Sequence, residues 1–503
     1  MRFSGWLKRP YDMAYKPHPP AGPSLLGYDP DSALSEDHLA RLVDRIVDGT
    51  ARPKERCSLG QSAYDPRMLI KLLVFAYATG TFSSRRIVQN CNEHLAYLFL
   101  SRGQRPCFRT ICAARTDYAA YLKEVWLTLL ATAASEGMST AGKIAVDATR
   151  FKANASGDLV VSQKDYEEVL LRLEEVLTQA REVDAKEDAE SLASPTSTGV
   201  NVSRITVRTV LRSVGEEPPK GTVTIQTEGR LAECVAVVNR ARAEGKKHVS
   251  LSDPDAQMMP IGSQKRVSMG HALEVASDSG LLVAGGSTNA PSDTGRLVPL
   301  VEEARKHDPA GVSEVAADSG YFEASDIVAL QDSGVEVVVP DSVTAGKMRR
   351  KQPLGNGNEI VFERVEGQNA YRCPEGRILD RVGKPGADGA AKYRARKDCT
   401  GCPLASRCLK SSKVKKRTLQ IRGHVDRIVP YLERFFEPFV RAAYYARGPA
   451  VETVFAYLRR IVGFGRWSVR GASKVAAEAE LLKCVYQVRK LHSFQLRRSA
   501  TAA

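Results

Sequence analysis

Three acidic residues stand in contexts that could support metal-dependent chemistry on phosphates. Asp147 follows the apolar run 144–146, Asp318 follows the apolar run 315–317, and Glu452 lies in a helical pattern rich in arginine. Carboxylate oxygens suit Mg²⁺ or Mn²⁺, and two such ions about 3.5–4 Å apart can activate the attacking oxygen and stabilise the leaving oxygen of a phosphodiester. Taken singly, each residue is more simply a helix cap or a solvated charge. Their joint occurrence in a basic chain favours the metal site.

These side chains can act together only if the fold brings them to one place. The pattern predicts strands over 143–148 and 314–318, and neighbouring strands lie about 4.8 Å apart. If the strands are parallel neighbours, Asp147 and Asp318 emerge side by side at one edge of the sheet. A helix would then have to bring Glu452 up to them.

The surrounding pattern predicts an α/β fold. A strand hairpin over 266–287 is followed by helix, strand, helix and strand as far as residue 340, which is typical of a mixed sheet flanked by helices. Short helical patterns between 35 and 140 predict an all-α N-terminal domain. Those helices could include a helix-turn-helix that binds DNA, or they could form an ordinary bundle.

Changes in composition predict the remaining organisation. Prolines dominate the N-terminus, acidic helical residues interrupt the core, and glycine, proline and basic residues interrupt it again before the last helices. The predicted parts are an extended arm (1–34), a helical N-terminal domain (35–140), a core in two pieces (141–342 and 423–492) with an acidic helical excursion (about 160–250), a basic cysteine-bearing insertion (343–422) and a disordered tail (493–503).

The positive charge is concentrated in the last third of the chain. The whole sequence carries a net charge of +15, but residues 343–503 hold 34 Lys and Arg against 13 Asp and Glu, a net of +21, and the first 342 residues carry −6. Such a field attracts a polyanion, of which nucleic acid is the commonest inside cells, although a basic surface can also serve solubility alone. No apolar segment is long enough to span a bilayer, so we expect a cytoplasmic protein without membrane association.

Four of the ten cysteines cluster in the predicted insertion. Cys373, Cys399-x-x-Cys402 and Cys408 could hold one structural Zn²⁺ through four thiolates. A reduced, packed knuckle and an iron–sulfur cluster are the alternatives. The basic residues that follow the cluster could contact phosphates, or they could form a solvated loop. These basic residues include Lys415, Lys416 and Arg417.

Several motifs together resemble a known family. The three blocks are Asp147-Ala-Thr-Arg-Phe-Lys152, Ala317-Asp318-Ser-Gly-Tyr321 and Glu452-x-x-Phe-x-x-x-Arg459-Arg460. They resemble the catalytic blocks of DDE transposases from bacterial insertion sequences, in the branch with a helical N-terminal domain and a cysteine-bearing insertion before the Glu. Supporting segments extend the resemblance over most of the chain. They are Tyr64-Asp-Pro-Arg-Met-Leu-Ile-Lys71, Gly80-Thr-Phe-Ser-Ser84, Ser252-Asp-Pro-Asp255 and Asn289-x-x-x-Asp293.

The resemblance implies a ribonuclease H-like core, two Mg²⁺ or Mn²⁺ ions, and DNA strand cleavage followed by strand transfer. Asp147, Asp318 and Glu452 map onto the catalytic triad that holds these ions. The implied partner is double-stranded DNA, both the terminal inverted repeats of the element and the target, bound by a homodimer near the nucleoid. Two rivals remain open, namely a nuclease on the same core that lacks strand transfer and a non-catalytic DNA-binding protein derived from a transposase.

Further basic residues follow from the same resemblance, with two departures. Related transposases carry a Tyr-x-x-Arg, Glu, Lys signature, and here Tyr444-x-x-Arg447 precedes Glu452 with one extra residue in the gap, while Arg459 replaces the final Lys. Arginine keeps the charge that binds phosphate. We therefore expect Arg447, Arg459 and the adjacent Arg460 to contact DNA.

Overall fold

The computed structural model describes most of the chain. It describes residues 30–53, 63–191, 205–214, 216, 225–262, 266–349, 362–365, 367–386, 390–409, 411, 413–421 and 423–502. The predicted extended arm lies almost entirely outside the described residues.

In the described chain, six helices precede the first strand, and helices and strands are mixed after that. The helices are α1 (Leu39–Gly49), α2 (Pro66–Ala78), α3 (Ser84–Glu93), α4 (Leu95–Ser101), α5 (Phe108–Asp117), α6 (Ala119–Ser135), α7 (Tyr166–Ser191), α8 (Val207–Arg212), α9 (Ile225–Ala243), α10 (Leu297–His307), α11 (Ala324–Asp332), α12 (Ser342–Arg349), α13 (Ala405–Cys408), α14 (Val425–Glu433), α15 (Pro438–Ala456) and α16 (Ala472–Ala502). The strands are β1 (Lys143–Lys152), β2 (Val160–Ser162), β3 (His248–Ser250), β4 (Gln257–Ile261), β5 (Arg266–Asp278), β6 (Leu281–Thr288), β7 (Glu314–Ala317), β8 (Glu336–Val338), β9 (Glu363–Arg364), β10 (Ala370–Arg372), β11 (Ile378–Val382), β12 (Ala391–Ala395) and β13 (Thr418–Ile421).

The N-terminal helices pack around α2, which is buried along almost its whole length. Asp65 caps this helix by accepting a hydrogen bond from the Arg67 backbone N–H at 2.9 Å. The ammonium group of Lys71, in the middle of α2, lies 2.6 Å from Asp44 and 2.7 Å from Asp48 of α1. Two carboxylates therefore compensate the buried charge and fix α1 against α2.

The central sheet is mixed. Its strand order is β4-β5-β1-β7-β8, with β6 paired to the far half of β5. β1, β7 and β8 are parallel, whereas β5 runs antiparallel to β1, β4 and β6. Helices α10, α11, α15 and α16 pack against this sheet. The predicted α/β, ribonuclease H-like fold with an all-α N-terminal domain is confirmed.

Two smaller units stand apart from the central sheet. In the first, α7, α8, α9 and the β2–β3 pair enclose their own apolar cluster, within the predicted acidic excursion. In the second, β9 to β13 form an antiparallel five-stranded sheet in the basic insertion. Helix α12, at the start of that predicted insertion, instead packs Met348 into the main core.

The last helix joins the N-terminal helices to the sheet. α16 packs against α2, α6 and β6, and one apolar cluster runs through all of them. Glu478 of α16 accepts hydrogen bonds from the Tyr77 hydroxyl of α2 and from both the hydroxyl and the backbone N–H of Ser468. This buried carboxylate therefore ties three segments together.

The C-terminal tail differs from the prediction. Residues 493–502 are helical and continue α16, where the sequence predicts disorder. The amide of Gln495 donates to the Glu136 carboxylate at 2.6 Å, and Arg498 donates to the Glu136 carbonyl at 2.9 Å. Contacts to the end of α6 thus hold the last turns in place, and a composition rich in small and polar residues gave no sign of them.

Candidate active site

Strand pairing places Asp147 beside Asp318. Val146 of β1 is the register partner of Ala317 in the parallel strand β7, so the next residue on each strand is one of the two aspartates. Asp147 does not end its strand, as the sequence led us to expect, because β5 continues to pair with β1 as far as Lys152. Asp318 does end β7. The two carboxylates therefore meet where the parallel pairing stops.

Burial and neighbouring charge disfavour the ionised form of Asp147. Its side chain is 23% exposed, and the Arg447 guanidinium lies 3.3 Å from one of its oxygens. The Ala148 backbone N–H donates to its other oxygen at 2.8 Å. Burial raises the pKa of Asp147 from 3.8 to about 6, since the attraction of Arg447 is countered by the negative charges of Asp318 and Asp293.

A further carboxylate, Asp293, closes the other side of this cluster. Asp318 accepts a hydrogen bond from the Gly320 backbone N–H at 2.8 Å, and a Cβ atom on Gly320 would lie 3.0 Å from Asp318 and 3.1 Å from Asp293. Arg150 of β1 donates to both oxygens of Asp293, at 3.1 and 3.2 Å. Burial and the charge of Asp318 raise the pKa of Asp293, against the attraction of Arg150. Sequence analysis noted Asp293 only as part of a resembling segment and gave it no role.

Two buried polar side chains near the carboxylates, Tyr321 and Glu274, were not indicated by the sequence. The Tyr321 side chain is fully buried, and its hydroxyl has no hydrogen-bond partner among the described residues. Burial holds the pKa of this phenol well above its usual range, reinforced by the charges of four surrounding carboxylates. One of them, Glu274, is itself buried and receives a two-pronged ion pair from Arg296 at 2.8–3.1 Å.

Glu452 lies on α15, which packs across β1 and β7. Arg447 and Tyr444 precede it on the same helix, with the Arg447 guanidinium over the Tyr444 ring at 5.6 Å. The Glu452 side chain is exposed, close to Gly448 one turn earlier. No three His, Cys, Asp or Glu side chains in the described parts of the chain stand together as a metal-binding group. Glu452 therefore does not join the two aspartates in this arrangement.

Arg459 contacts β1, the strand that carries Asp147. It donates to the Thr149 hydroxyl and, at 3.0 Å, to the Arg150 carbonyl, and its guanidinium lies 5.1 Å from the centre of the Phe151 ring. Arg459 belongs to a π-helical turn, Tyr457–Ile461, that ends α15. The neighbouring Arg460 is exposed. Arg459 thus braces β1, whereas Arg460 is free to meet solvent or a ligand.

Two segments of the chain match known protein families. Residues 372–492 match a transposase DDE domain, and residues 28–117 match the transposase domain DUF772. Together the two matches support a DDE transposase of an insertion sequence. No curated protein matches the chain. The first match includes Glu452 and all four clustered cysteines, while Asp147 and Asp318 lie between the two matched segments.

The carboxylate cluster offers the negative charge and the oxygen ligands that divalent cations prefer. DDE transposases generally use divalent metals, and their family implies DNA binding. Asp147, Asp318 and Asp293 are partly buried near one another, and the charge of Asp318 helps to raise the pKa of both Asp147 and Asp293. A divalent cation would offset that repulsion through hard oxygen ligands. The unpaired Tyr321 hydroxyl beneath them adds a buried polar group without a protein partner in the described structure.

The cysteines of the transposase insertion also converge. Cys373, Cys399, Cys402 and Cys408 line one cavity between the five-stranded sheet and α13. Arg417 lines the same cavity and donates to the Cys408 carbonyl at 2.8 Å, so its guanidinium is turned inward. Of the other predicted DNA contacts, Lys415 is exposed and Lys416 is exposed with its ammonium group 2.8 Å from the Arg396 carbonyl.

No helix among the described residues is long and apolar enough to cross a bilayer.

Proposed function

We propose that this transposase cleaves DNA at the ends of its insertion sequence and transfers the cut strands to a target, using Asp147, Asp318 and Glu452. The observation that carries the proposal is the parallel register of β1 and β7, which sets two partly buried carboxylates side by side next to Arg447. Two carboxylates that lie close together in a partly buried site repel each other, and a bound cation would offset that repulsion. The two family matches support a transposase function in general.

Asp147 and Asp318 would hold two Mg²⁺ or Mn²⁺ ions together with Glu452. When bound, such ions lower the pKa of an attacking water and stabilise the leaving oxygen of the phosphodiester. The exposed side chain of Glu452 needs a change in its direction, or in α15, to reach the aspartates. DNA and cations together are the ligands that we expect to favour this change.

Before a metal ion binds, the Arg447 guanidinium occupies the position beside Asp147 that a cation would take. Its guanidinium is 14% exposed, and its Nε has no partner among the described residues. Once Asp147 turns to a metal ion, Arg447 can donate to a phosphate oxygen instead, because guanidinium forks match phosphate geometry. Arg459 would act indirectly, by fixing the strand that carries Asp147.

Double-stranded DNA would lie against the basic part of the chain. Exposed cations include Lys415 and Lys416 on the insertion and Arg460 beside the site, within a region of net charge +21. These residues would contact phosphates and fix the position of the DNA without reading its sequence. We infer that two copies of the chain bind one pair of terminal repeats, and that they work in the cytoplasm at the nucleoid.

Strand cleavage and joining by the purified chain test this proposal. The substrate is a labelled duplex that ends in the inverted repeat flanking the gene, with Mg²⁺ or Mn²⁺ and a supercoiled target plasmid. Asp318→Asn and Glu452→Gln should each slow cleavage by at least about 10²-fold, as expected when a group that stabilises transition-state charge is removed. Asp158→Asn, at an exposed carboxylate of the excursion, is the matched control and should retain activity.

The products separate the rival functions. Joined product on the plasmid supports transposition, whereas cleavage without joining would identify a nuclease. DNA binding without cleavage by the wild-type chain, with either cation, would identify a non-catalytic DNA-binding protein. Cleavage by Asp318→Asn at the wild-type rate would refute the carboxylate site itself.

A further inference from the structure

The five-stranded sheet of the insertion has very little apolar core. Among the described residues, its apolar cluster contains three buried side chains, Leu379, Ala395 and Cys399, and six half-buried neighbours. Burial at about 25 cal/mol per Å² cannot offset the conformational entropy of ordering a segment of this size with so few side chains. Small units of this kind generally need a cross-link or a bound metal to fold.

Four thiols surround a cavity at one end of this sheet. Cys373 begins the turn between β10 and β11, Cys399 and Cys402 belong to the turn after β12, and Cys408 ends α13. The lining is otherwise mostly apolar, and the cavity volume is about 20 Å³. A space of that size holds one water molecule or one ion. Four donors from three elements, arranged around room for a single ion, are typical of a structural metal site.

Two hydrogen-bond donors beside the cavity would stabilise thiolates. The Arg377 backbone N–H points at the Cys373 sulfur from 3.3 Å, and turns closed by backbone hydrogen bonds hold Cys399 and Cys402. The Arg417 guanidinium lines the cavity, and its Nε is buried without a hydrogen-bond partner among the described residues. A buried cation with a spare donor balances the net negative charge that four thiolates and one divalent ion would leave.

We propose that Cys373, Cys399, Cys402 and Cys408 bind one Zn²⁺ ion and that this ion stabilises the fold of the insertion. Each thiol loses its proton to solvent on binding, and the tetrahedral ion takes the place of the single water that the cavity admits. In the described structure the sulfurs line the cavity without standing as a ligand group, and the Cys399 thiol lies 3.7 Å from the Lys397 carbonyl. Rotation about the Cα–Cβ bonds would turn the sulfurs inward.

Zinc content of the purified, full-length chain tests the proposal. We expect about one zinc per chain by elemental analysis under reducing conditions, in line with a four-thiolate structural site. Cys402→Ser and Cys408→Ser should each lose most of it, whereas the matched control Cys107→Ser, at an exposed cysteine of the N-terminal helices, should keep it. Cys408→His should retain zinc, because imidazole can replace one thiolate.

Cobalt distinguishes the thiol site from the carboxylate site. A chain loaded with Co²⁺ should show the strong near-ultraviolet absorption of cobalt–thiolate bonds, and Asp147→Asn should leave that absorption unchanged. Arg417→Met should still bind zinc but lose it to a chelator about 10- to 100-fold faster, as expected for an outer partner of a ligand. Protease should cut within residues 362–421 of the zinc-free wild type and spare the zinc-loaded chain.

Specific outcomes would overturn the inference. The zinc site would be refuted if Cys402→Ser left the zinc content unchanged, or if the wild type contained no zinc after expression with added zinc. It would also be refuted by a disulfide between Cys399 and Cys402 in the reduced preparation, or by iron–sulfur absorption. None of these measurements depends on DNA cleavage, so failure here would leave the proposed transposition reaction untouched, and the reverse also holds.

Discussion

Replacing Asp147 by Asn should stabilise the metal-free chain at neutral pH. The side chain is partly buried beside two other carboxylates, and its pKa is raised from 3.8 to about 6. The carboxylate thus ionises less readily in the folded chain than in the unfolded one. Asn resembles the protonated carboxyl group in shape and lacks its charge, so it avoids this conflict. A proposed active-site residue would then be one that the fold holds at a cost in stability.

The magnitude follows from the difference in pKa between the two states. Each factor of ten in proton affinity is about 1.4 kcal/mol, so ionised Asp147 lowers the free energy of unfolding by about 3 kcal/mol. Because the folded-state pKa is raised, the wild type keeps its full free energy of unfolding below pH 3.8. It loses about 3 kcal/mol of this as the pH rises through about 6 and Asp147 ionises. The advantage of Asp147→Asn should therefore be close to full at pH 7.5 and below about 1 kcal/mol at pH 4.

Urea denaturation in the presence of a chelator measures the difference in free energy of unfolding between the wild type and Asp147→Asn. The fluorescence of the buried Trp126 and Trp467 monitors the unfolding. The surface control Asp158→Asn should change the unfolding free energy by less than about 0.5 kcal/mol at either pH. Saturating Mg²⁺ should stabilise the wild type and not Asp147→Asn, which narrows the gap. Equal stability of the wild type and Asp147→Asn at pH 7.5, or a gap that does not depend on pH, would show that the repulsion is absent.

Three further changes test the neighbouring contacts. Glu478→Ala should lower the free energy of unfolding by about 2–4 kcal/mol, because Tyr77 loses its buried acceptor; urea melts that match the wild type would contradict this. Lys483→Met should cost about 3–5 kcal/mol, since Glu480 would keep a buried charge without its cation 3.0 Å away, and adding Glu480→Gln should recover most of the loss. Asp293→Asn should raise the Mn²⁺ concentration needed for half-maximal cleavage about tenfold, and an unchanged requirement would exclude Asp293 from the cluster.

The neighbouring positions of Asp147 and Asp318 could be anticipated from local sequence. Apolar, β-branched runs before each aspartate predict buried strands, and parallel pairing of those strands is what the structure contains. The length of β1 was not anticipated, because the strand was predicted over 143–148, whereas pairing with β5 keeps residues 149–152 in the sheet as well. Tertiary pairing therefore decides where Asp147 sits along its strand.

Asp293 and Tyr321 could not be assigned from sequence for a different reason. Asp293 lies in a loop before α10, and nothing in its local pattern shows that Arg150 and Gly320 will be its neighbours. Tyr321 belongs to the predicted Asp-Ser-Gly-Tyr block, but only the fold shows that its hydroxyl is buried below the carboxylates. Contacts between segments far apart in sequence determine both.

The direction of Glu452 depends on a single continuous helix. Helix α15 runs without interruption from Pro438 to Ala456 and passes through Pro449. Each residue of an α-helix turns about 100°, so Glu452, five positions after Arg447, points about 140° away from it. With Arg447 directed at Asp147, Glu452 must face elsewhere, as its exposure shows.

The ion pair between Arg447 and Asp147 and the outward direction of Glu452 are therefore two consequences of one helix rotation. Pro449 removes a backbone hydrogen bond between the two residues, and the π-helical turn at Tyr457–Ile461 loosens the helix beyond them. A cation at Asp147 would displace Arg447, and the same weak points would let α15 turn until Glu452 faces the aspartates. If Asp147, Asp318 and Glu452 hold the ions as proposed, the extra residue between Arg447 and Glu452 would couple loading of the site to release of an arginine for phosphate.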